Sequence, residues 1–209
     1  MEWDSRQPRG RSEKKNMKIA IIKYNAGNIL SVLNALDRLG VEGILSDDPE
    51  EIRSADKVIF PGVGEASHTM EYLKARKMDL LIRDLGQPVL GICLGLQLMC
   101  SHSEEGGTEC LGIFSEQVRR FEGPGKVPHM GWNTVTGLKG PLFKGCTGNE
   151  YMYFVHSYYV PVDRDTTAVT EYITAFSSAL ERKNFFGTQF HPEKSGPAGE
   201  RILKNFIGL

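Results

Sequence analysis

Three short apolar runs constrain what this chain can fold into more than any other feature. Ile19-Ala20-Ile21-Ile22, Val58-Ile59-Phe60 and Val89-Leu90-Gly91-Ile92 are continuously apolar, as expected of strands buried on both faces. Apolar residues at helical spacing follow each run. After the first come the turn Asn25-Ala26-Gly27-Asn28 and then Ile29, Val32, Leu33, Leu36 and Leu39, with Gly40 where a C-terminal cap belongs. After the second come Pro61-Gly62-Val63-Gly64 and a helical stretch around residues 70–85, stopped by Gly86 and Pro88. The third runs directly into a helical pattern over residues 93–100. Strand and helix alternating three times predict βαβ units and a parallel sheet.

Beyond Leu111 the pattern changes. Residues 118–121, 151–155, 158–162, 168–174 and 185–190 read as short strands between Gly, Pro and Asp turns. Ile202, Leu203, Phe206 and Ile207 then mark a closing helix within residues 199–208. The expected fold is α/β, a mostly parallel sheet flanked by helices, with additional antiparallel strands in the C-terminal half. Residues 1–16 are polar and basic without apolar periodicity; they read as a disordered tail or extended start, with a basic interaction arm as the alternative. That leaves residues 17–209 as one domain of ordinary size.

Composition narrows the function. The 209 residues carry 25 Lys plus Arg against 26 Asp plus Glu, a formal charge of −1, which argues against a large nucleic-acid footprint. The longest mostly apolar stretch, residues 88–100, contains Gln97 and falls short of the roughly 20 apolar residues a membrane span needs. The first 16 residues lack the apolar segment of a secretion signal. Cys93, Cys100, Cys110 and Cys146 form no CxxC pair, which suggests reduced thiols and a cytoplasmic setting. Cys100, His102 and Cys110 have no zinc spacing, and no metal site is expected.

Gly91-Ile92-Cys93-Leu94-Gly95 is the thiol version of the G-x-S-x-G nucleophile elbow, with a buried strand before it and a helix after. A cysteine at a helix N-terminus should have a stabilised thiolate, and the Leu94 N–H points to where an oxyanion would form. The alternative for Cys93 is a buried small hydrophobe, the reading preferred for Cys100 inside the helix. A thiolate needs a base and the base an orienting group. His191-Pro192-Glu193 offers both: in extended backbone an i, i+2 pair points to one side, so the carboxylate can hold the imidazole tautomer. His156 is a further candidate for lining the site. Gly62-Val63-Gly64 sits at a strand's C-terminal end, where a second oxyanion donor belongs. It lacks the third glycine of a dinucleotide fingerprint, and no Walker A run exists, so no phosphate cofactor is expected.

These motifs, in this order, resemble the class I (triad) glutamine amidotransferases. Asn25-Ala26-Gly27-Asn28, Pro128-His129-Met130-Gly131-Trp132-Asn133, Tyr153-Phe154-Val155-His156-Ser157-Tyr158 and His191-Pro192-Glu193-Lys194-Ser195-Gly196 look like the glutaminase subunits of imidazole glycerol phosphate synthases. The resemblance runs from about Met17 to Leu209 and implies a flavodoxin-like fold.

It also implies that Cys93 attacks the side-chain amide of L-glutamine. His191 would serve as base and then acid, Glu193 would orient it, and backbone N–H groups of Leu94, Gly62 and Val63 would hold the oxyanion. Gln97 and Glu105 match substrate-holding positions, with Glu104 as the alternative to Glu105. His156, Ser157 and Tyr158 would complete the pocket, and Lys194 and Asn25 would face a partner. That partner is a separate (β/α)₈ cyclase subunit, which uses the ammonia to make imidazole glycerol phosphate and aminoimidazole carboxamide ribonucleotide in histidine biosynthesis. A barrel of roughly 250 residues does not fit in this chain. The resemblance implies no cofactor, no nucleic acid and no membrane. The rival readings are a triad glutaminase of another pathway, a non-catalytic α/β binding module, and a cysteine hydrolase of the DJ-1/PfpI kind.

Overall fold

The computed structural model describes residues 17–24 and 29–209. Residues 25–28, expected to form a turn, and the first 16 residues, with the expectations attached to them, lie outside the described residues. The first half alternates strand and helix, with β2 and α2 added between the first two of the three expected pairs: β1 (Lys18–Ile22), α1 (Ile29–Arg38), β2 (Glu42–Ser46), α2 (Pro49–Ser54), β3 (Lys57–Phe60), α3 (Ala66–Ala75), α4 (Met78–Arg83), β4 (Val89–Ile92) and α5 (Leu94–Met99). The second half is mostly strand: β5 (His102–Ser103), β6 (Thr108–Glu109), β7 (Gln117–Arg120), β8 (His129–Val135), β9 (Glu150–His156), β10 (Tyr158–Tyr159), β11 (Thr166–Glu171), β12 (Ala175–Arg182) and β13 (Phe185–Thr188), closed by α6 (Gly196–Ile207).

One sheet, in the order β11-β12-β13-β4-β3-β1-β2, organises the molecule. β2, β1, β3, β4 and β13 run parallel, while β12 and β11 continue the sheet antiparallel. Alternating side chains on the central strands feed two cores. Ala20, Ile22, Val58 and Phe60 pack with α2 to α5; Ile19, Ile21, Ile59 and Leu90 pack with α1, α6 and the β8–β9 pair. Burial on both faces is why those strands read as unbroken apolar runs. A smaller sheet, β10-β7-β5-β6, and the β8–β9 pair lie outside the main sheet.

Local chemistry sets the helix ends. α1 stops at Gly40, whose φ of 70° lets its N–H reach the Asp37 carbonyl while the Val41 N–H reaches Leu36. α2 starts at Asp48, whose Oδ1 accepts from the Glu50 N–H at 2.9 Å, with Pro49 in the first turn. The single helical stretch expected over residues 70–85 is two helices. Lys77 adopts a left-handed conformation at φ 56°, and the turn lets Leu73 on one side and Met78, Leu81 and Ile82 on the other all reach the core. Periodicity cannot register such a break, because both halves keep their helical spacing.

β2, β8 and β12 were not apparent from composition. β12 reads Ala-Phe-Ser-Ser-Ala-Leu, yet its serines are buried and satisfied: Ser177 Oγ donates to the Pro161 carbonyl at 2.8 Å, and Ser178 Oγ pairs with Thr170 Oγ1 at 2.6 Å. β13 lies parallel to β4 with Thr188 opposite Ile92, so the residues after it leave the sheet beside the elbow.

Candidate active site

The Cys93 backbone has φ 54° and ψ −108°, an uncommon conformation for a residue with a Cβ, and stands between β4 and α5. Its N–H donates to the Thr188 carbonyl at 2.7 Å and its own carbonyl accepts from Gln97 N–H, the first bond of the helix. The N–H groups of Leu94 and its neighbours therefore precede the helix's own ladder. The glycines of the motif are explained by contact. A Cβ on Gly95 would sit 2.0 Å from the Phe60 carbonyl oxygen, and one on Gly62 would sit 2.3 Å from the Gly95 nitrogen. The loop after β3 thus lies backbone against backbone on the start of α5. Tyr24, buried against Phe60, anchors the loop by donating its hydroxyl to the Pro61 carbonyl.

β13 delivers the next residues. The His191 N–H donates to the Tyr153 carbonyl at 2.9 Å, and Nδ1 meets Glu193 Oε1 at 2.8 Å with both side chains 2 % exposed. The contact arises differently from the extended i, i+2 pairing expected. Pro192 to Lys194 form a 3₁₀ turn, which brings the carboxylate back under the imidazole. Ser195 locks this turn: its Oγ donates to the His191 carbonyl at 2.6 Å and accepts from the Tyr153 N–H at 3.0 Å. His191 Nε2 is buried without a hydrogen-bond partner. Burial alone would lower the imidazole pKa; the negative charge of Cys93, together with the hydrogen bond and charge of Glu193, outweighs it and holds the pKa up at about 10.

These groups meet in one cleft of about 340 Å³, lined by Gly62, Val63, Cys93, Leu94, Gln97, Glu105, His156, Ser157, Tyr158 and His191, with Gly64, Pro128 and Val155. All of the residues expected at the oxyanion and substrate positions are there. Glu193 stands behind His191, and Lys194 is exposed on the adjoining turn. Glu104 and Glu105 point to different places. Glu104 Oε2 accepts from the Arg120 N–H at 2.7 Å, whereas Glu105 lines the cleft and its Oε2 accepts from the Ala66 N–H at 2.8 Å. Burial raises the Glu105 pKa despite that bond, with Glu65 adding to the rise.

Sequence reasoning missed two features. Gln189 is fully buried and its Nε2 lies 3.6 Å from Cys93 Sγ; it sits two residues before His191, and the alternation of extended backbone was the signal available. His129, noted only as part of a motif, pairs through Nδ1 with His156 Nε2 at 3.0 Å, and His156 Nδ1 faces the Tyr158 carbonyl at 2.7 Å. That carbonyl fixes the tautomers: His156 donates from Nδ1 and accepts at Nε2, so His129 donates from Nδ1. Burial keeps both rings neutral, with pKa values lowered to about 4 for His129 and about 3 for His156. Burial pushes Cys110 up to about 12 and Cys100 well above the usual thiol range. Among the described residues no group of three or more His, Cys, Asp and Glu side chains is arranged to hold a metal ion, and no helix is long and apolar enough to cross a membrane.

A cysteine on a strand-to-helix elbow at the C-terminal edge of a parallel sheet, facing a His–Glu pair across a polar cleft, defines a class. Residues 20–209 match the family model described as glutamine amidotransferase class-I, and the chain belongs to that family. A glutamine amidotransferase of Thermotoga maritima shares the fold, with a TM-score of 0.63 at 16 % identity over 92 % of this chain and 83 % of that one. Within the family the chain falls among the imidazole glycerol phosphate synthase subunits HisH. It is 63 % identical over 196 residues to that subunit of Bacteroides fragilis strain YCH46, covering 92 % of this chain and all of the relative. It is 46 % identical over 195 residues to the HisH subunit of Idiomarina loihiensis, covering 92 % of this chain and 98 % of the relative.

Proposed function

We propose that the chain hydrolyses L-glutamine to glutamate and ammonia through Cys93, His191 and Glu193, and hands the ammonia to a separate cyclase subunit in histidine biosynthesis. The carrying observation is convergence: the elbow cysteine, the His–Glu pair and every expected substrate contact line or back one cleft. The Cys93 thiolate attacks the side-chain carbonyl carbon of glutamine, and the carbonyl oxygen takes the negative charge. Backbone N–H groups of Leu94 and of the Gly62–Val63 loop hold it, two segments already in backbone contact. His191, protonated while it faces the thiolate, gives its proton to the departing nitrogen, which leaves as ammonia. The resulting thioester is attacked by water, whose proton passes to neutral His191. Collapse of the second tetrahedral intermediate releases glutamate and the thiolate, and the imidazole retains the proton.

The cleft walls suit this substrate. Glu105 supplies negative charge for the α-ammonium of glutamine, and Gln97, His156, Ser157 and Tyr158 supply polar contacts for the rest. A partner is implied because the relatives are named as subunits, and an exposed apolar face supports where it binds. Met130 and Trp132 on β8 and Tyr151 on β9 are each more than half exposed. Trp132 stands opposite Tyr153 and Met130 opposite Val155, whose carbonyl lies 3.8 Å from Cys93 Sγ. A docked cyclase on this face and at Lys194 would therefore cover the exit from the nucleophile. Cys93→Ala should abolish glutamine-dependent product formation by the assembled enzyme while sparing the ammonia-dependent reaction. Retention of both would overturn the reading. Labelling of Cys93 by a diazo-ketone glutamine mimic separates it from a non-catalytic binding module.

A further inference from the structure

We propose that Gln189 is a further catalytic residue, whose side-chain amide donates to the Cys93 sulfur and ties the nucleophile to the wall of the glutamine cleft. The inference rests on the reading of Cys93 as nucleophile and adds to it a residue outside the Cys–His–Glu triad. Gln189 has no exposed surface, so its amide must find partners inside the protein. The network fixes which way round it sits. Gln97 Nε2 donates to the Tyr158 carbonyl at 2.9 Å and, with its second hydrogen, to Gln189 Oε1 at 2.9 Å. Gln189 Oε1 is thereby the acceptor, and Nε2 is the atom turned to Cys93 Sγ at 3.6 Å. The backbone holds it there, since the Gln189 N–H donates to the Ser178 carbonyl at 2.8 Å on the neighbouring strand.

The Val155 carbonyl and the Gln189 amide favour opposite forms of the sulfur. The Val155 carbonyl at 3.8 Å can only accept, which suits the thiol. The Gln189 amide can only donate there, which suits the thiolate and strengthens when the sulfur is charged. The titratable groups acting on the same sulfur are His191 and the buried Tyr24 hydroxyl; Gln189 is the neutral donor among them. The same amide carries the link outward. Because Gln97 lines the cleft and bonds Gln189, substrate seated against Gln97 bears on the rotamer of Gln189 and so on the sulfur.

The test compares Gln189→Met, which removes donor and acceptor at similar length, with Gln189→Glu, which keeps the acceptor and replaces the donor by a carboxylate. Iodoacetamide alkylation of Cys93 is followed against pH, with kcat and KM for glutamine measured on the assembled enzyme. Loss of the donor should move the midpoint of the alkylation profile to higher pH by about one unit and lower kcat about tenfold, with KM changed less. The carboxylate should move the midpoint further in the same direction. A Gln189→Met protein with the wild-type alkylation profile overturns the proposal, even if its melting temperature falls, since that is what a merely structural residue would do. Should Gln189→Met not fold, an unshifted profile in the near-isosteric Gln189→Glu overturns it equally. If wild-type Cys93 is alkylated no faster than Cys110 or Cys146, the nucleophile reading itself fails, and that result is distinct from an unshifted variant.

Discussion

Burial alone would strip the proton from His191, and two negative groups keep it. The linkage has a definite sign. A histidine whose folded pKa is raised to about 10 stays protonated at neutral pH and loses its proton only as pH rises through that value. Glutamine turnover by the assembled enzyme should therefore hold through mildly alkaline pH and fall near pH 10, when no proton remains for the departing ammonia. Glu193→Gln removes one of the charges that raise the imidazole, so the alkaline limb of kcat/KM should move to lower pH; an unmoved limb would separate Glu193 from the chemistry. His129 and His156 carry the opposite sign. Their folded values near 4 and 3 lie below the unfolded value, so their contribution to stability is present above about pH 6.5 and fades as pH falls toward those values. Imidazole signals of both rings should remain those of neutral histidine at about pH 5.5 in an NMR titration. Protonation of either ring at that pH would contradict the buried pair.

At the scale of elements, the site is a junction of segments that cannot separate without losing hydrogen bonds or contacts. The loop after β3 crosses α5 so closely that Gly95 admits no side chain. Gly95→Ala should destabilise the fold by about 3 kcal/mol or more, because a methyl group would meet backbone at Phe60 and nothing there can rotate away. Urea denaturation measures this directly, and a wild-type midpoint would mean the crossing is looser than described. The turn Pro192–Lys194 depends on Ser195, which bonds both the His191 carbonyl and the Tyr153 N–H. Ser195→Ala should cost about 1–3 kcal/mol in unfolding free energy and lower kcat, by freeing the His191 turn from β9. Both elements were readable as motifs, as a glycine pattern and as the His-Pro-Glu run. The glycine pattern itself implied a close backbone approach, but the sequence showed neither that the chain after Phe60 makes it nor the 3₁₀ turn that brings Glu193 onto His191.

For the whole molecule, the cleft opens beside an apolar face that the isolated chain leaves uncovered. Trp132→Ala should weaken association with the cyclase by about 2 kcal/mol, as expected of an aromatic anchor, and reduce glutamine-dependent synthesis at limiting subunit concentration. Glutamine turnover by the isolated chain should be slow and rise strongly when the liganded cyclase is added; equal rates would remove the partner from the reading. Buried strands and amphipathic helices follow from one-dimensional spacing, so the α/β class, the elbow and the order of the motifs were legible in the residues alone. The break at Lys77 and the strand built on Ser177 and Ser178 were not, because tertiary hydrogen bonds and packing override local preference there. Gln189 was hidden for the same reason. A glutamine two places from a histidine says nothing until β13 is laid parallel to β4 and its side chain is seen against the Cys93 sulfur. By itself the sequence determined the chemical groups available and the scaffold type, since both follow from residue identity and periodicity. Tertiary structure alone decided which groups face one another, because that depends on strand pairing between residues far apart in the chain.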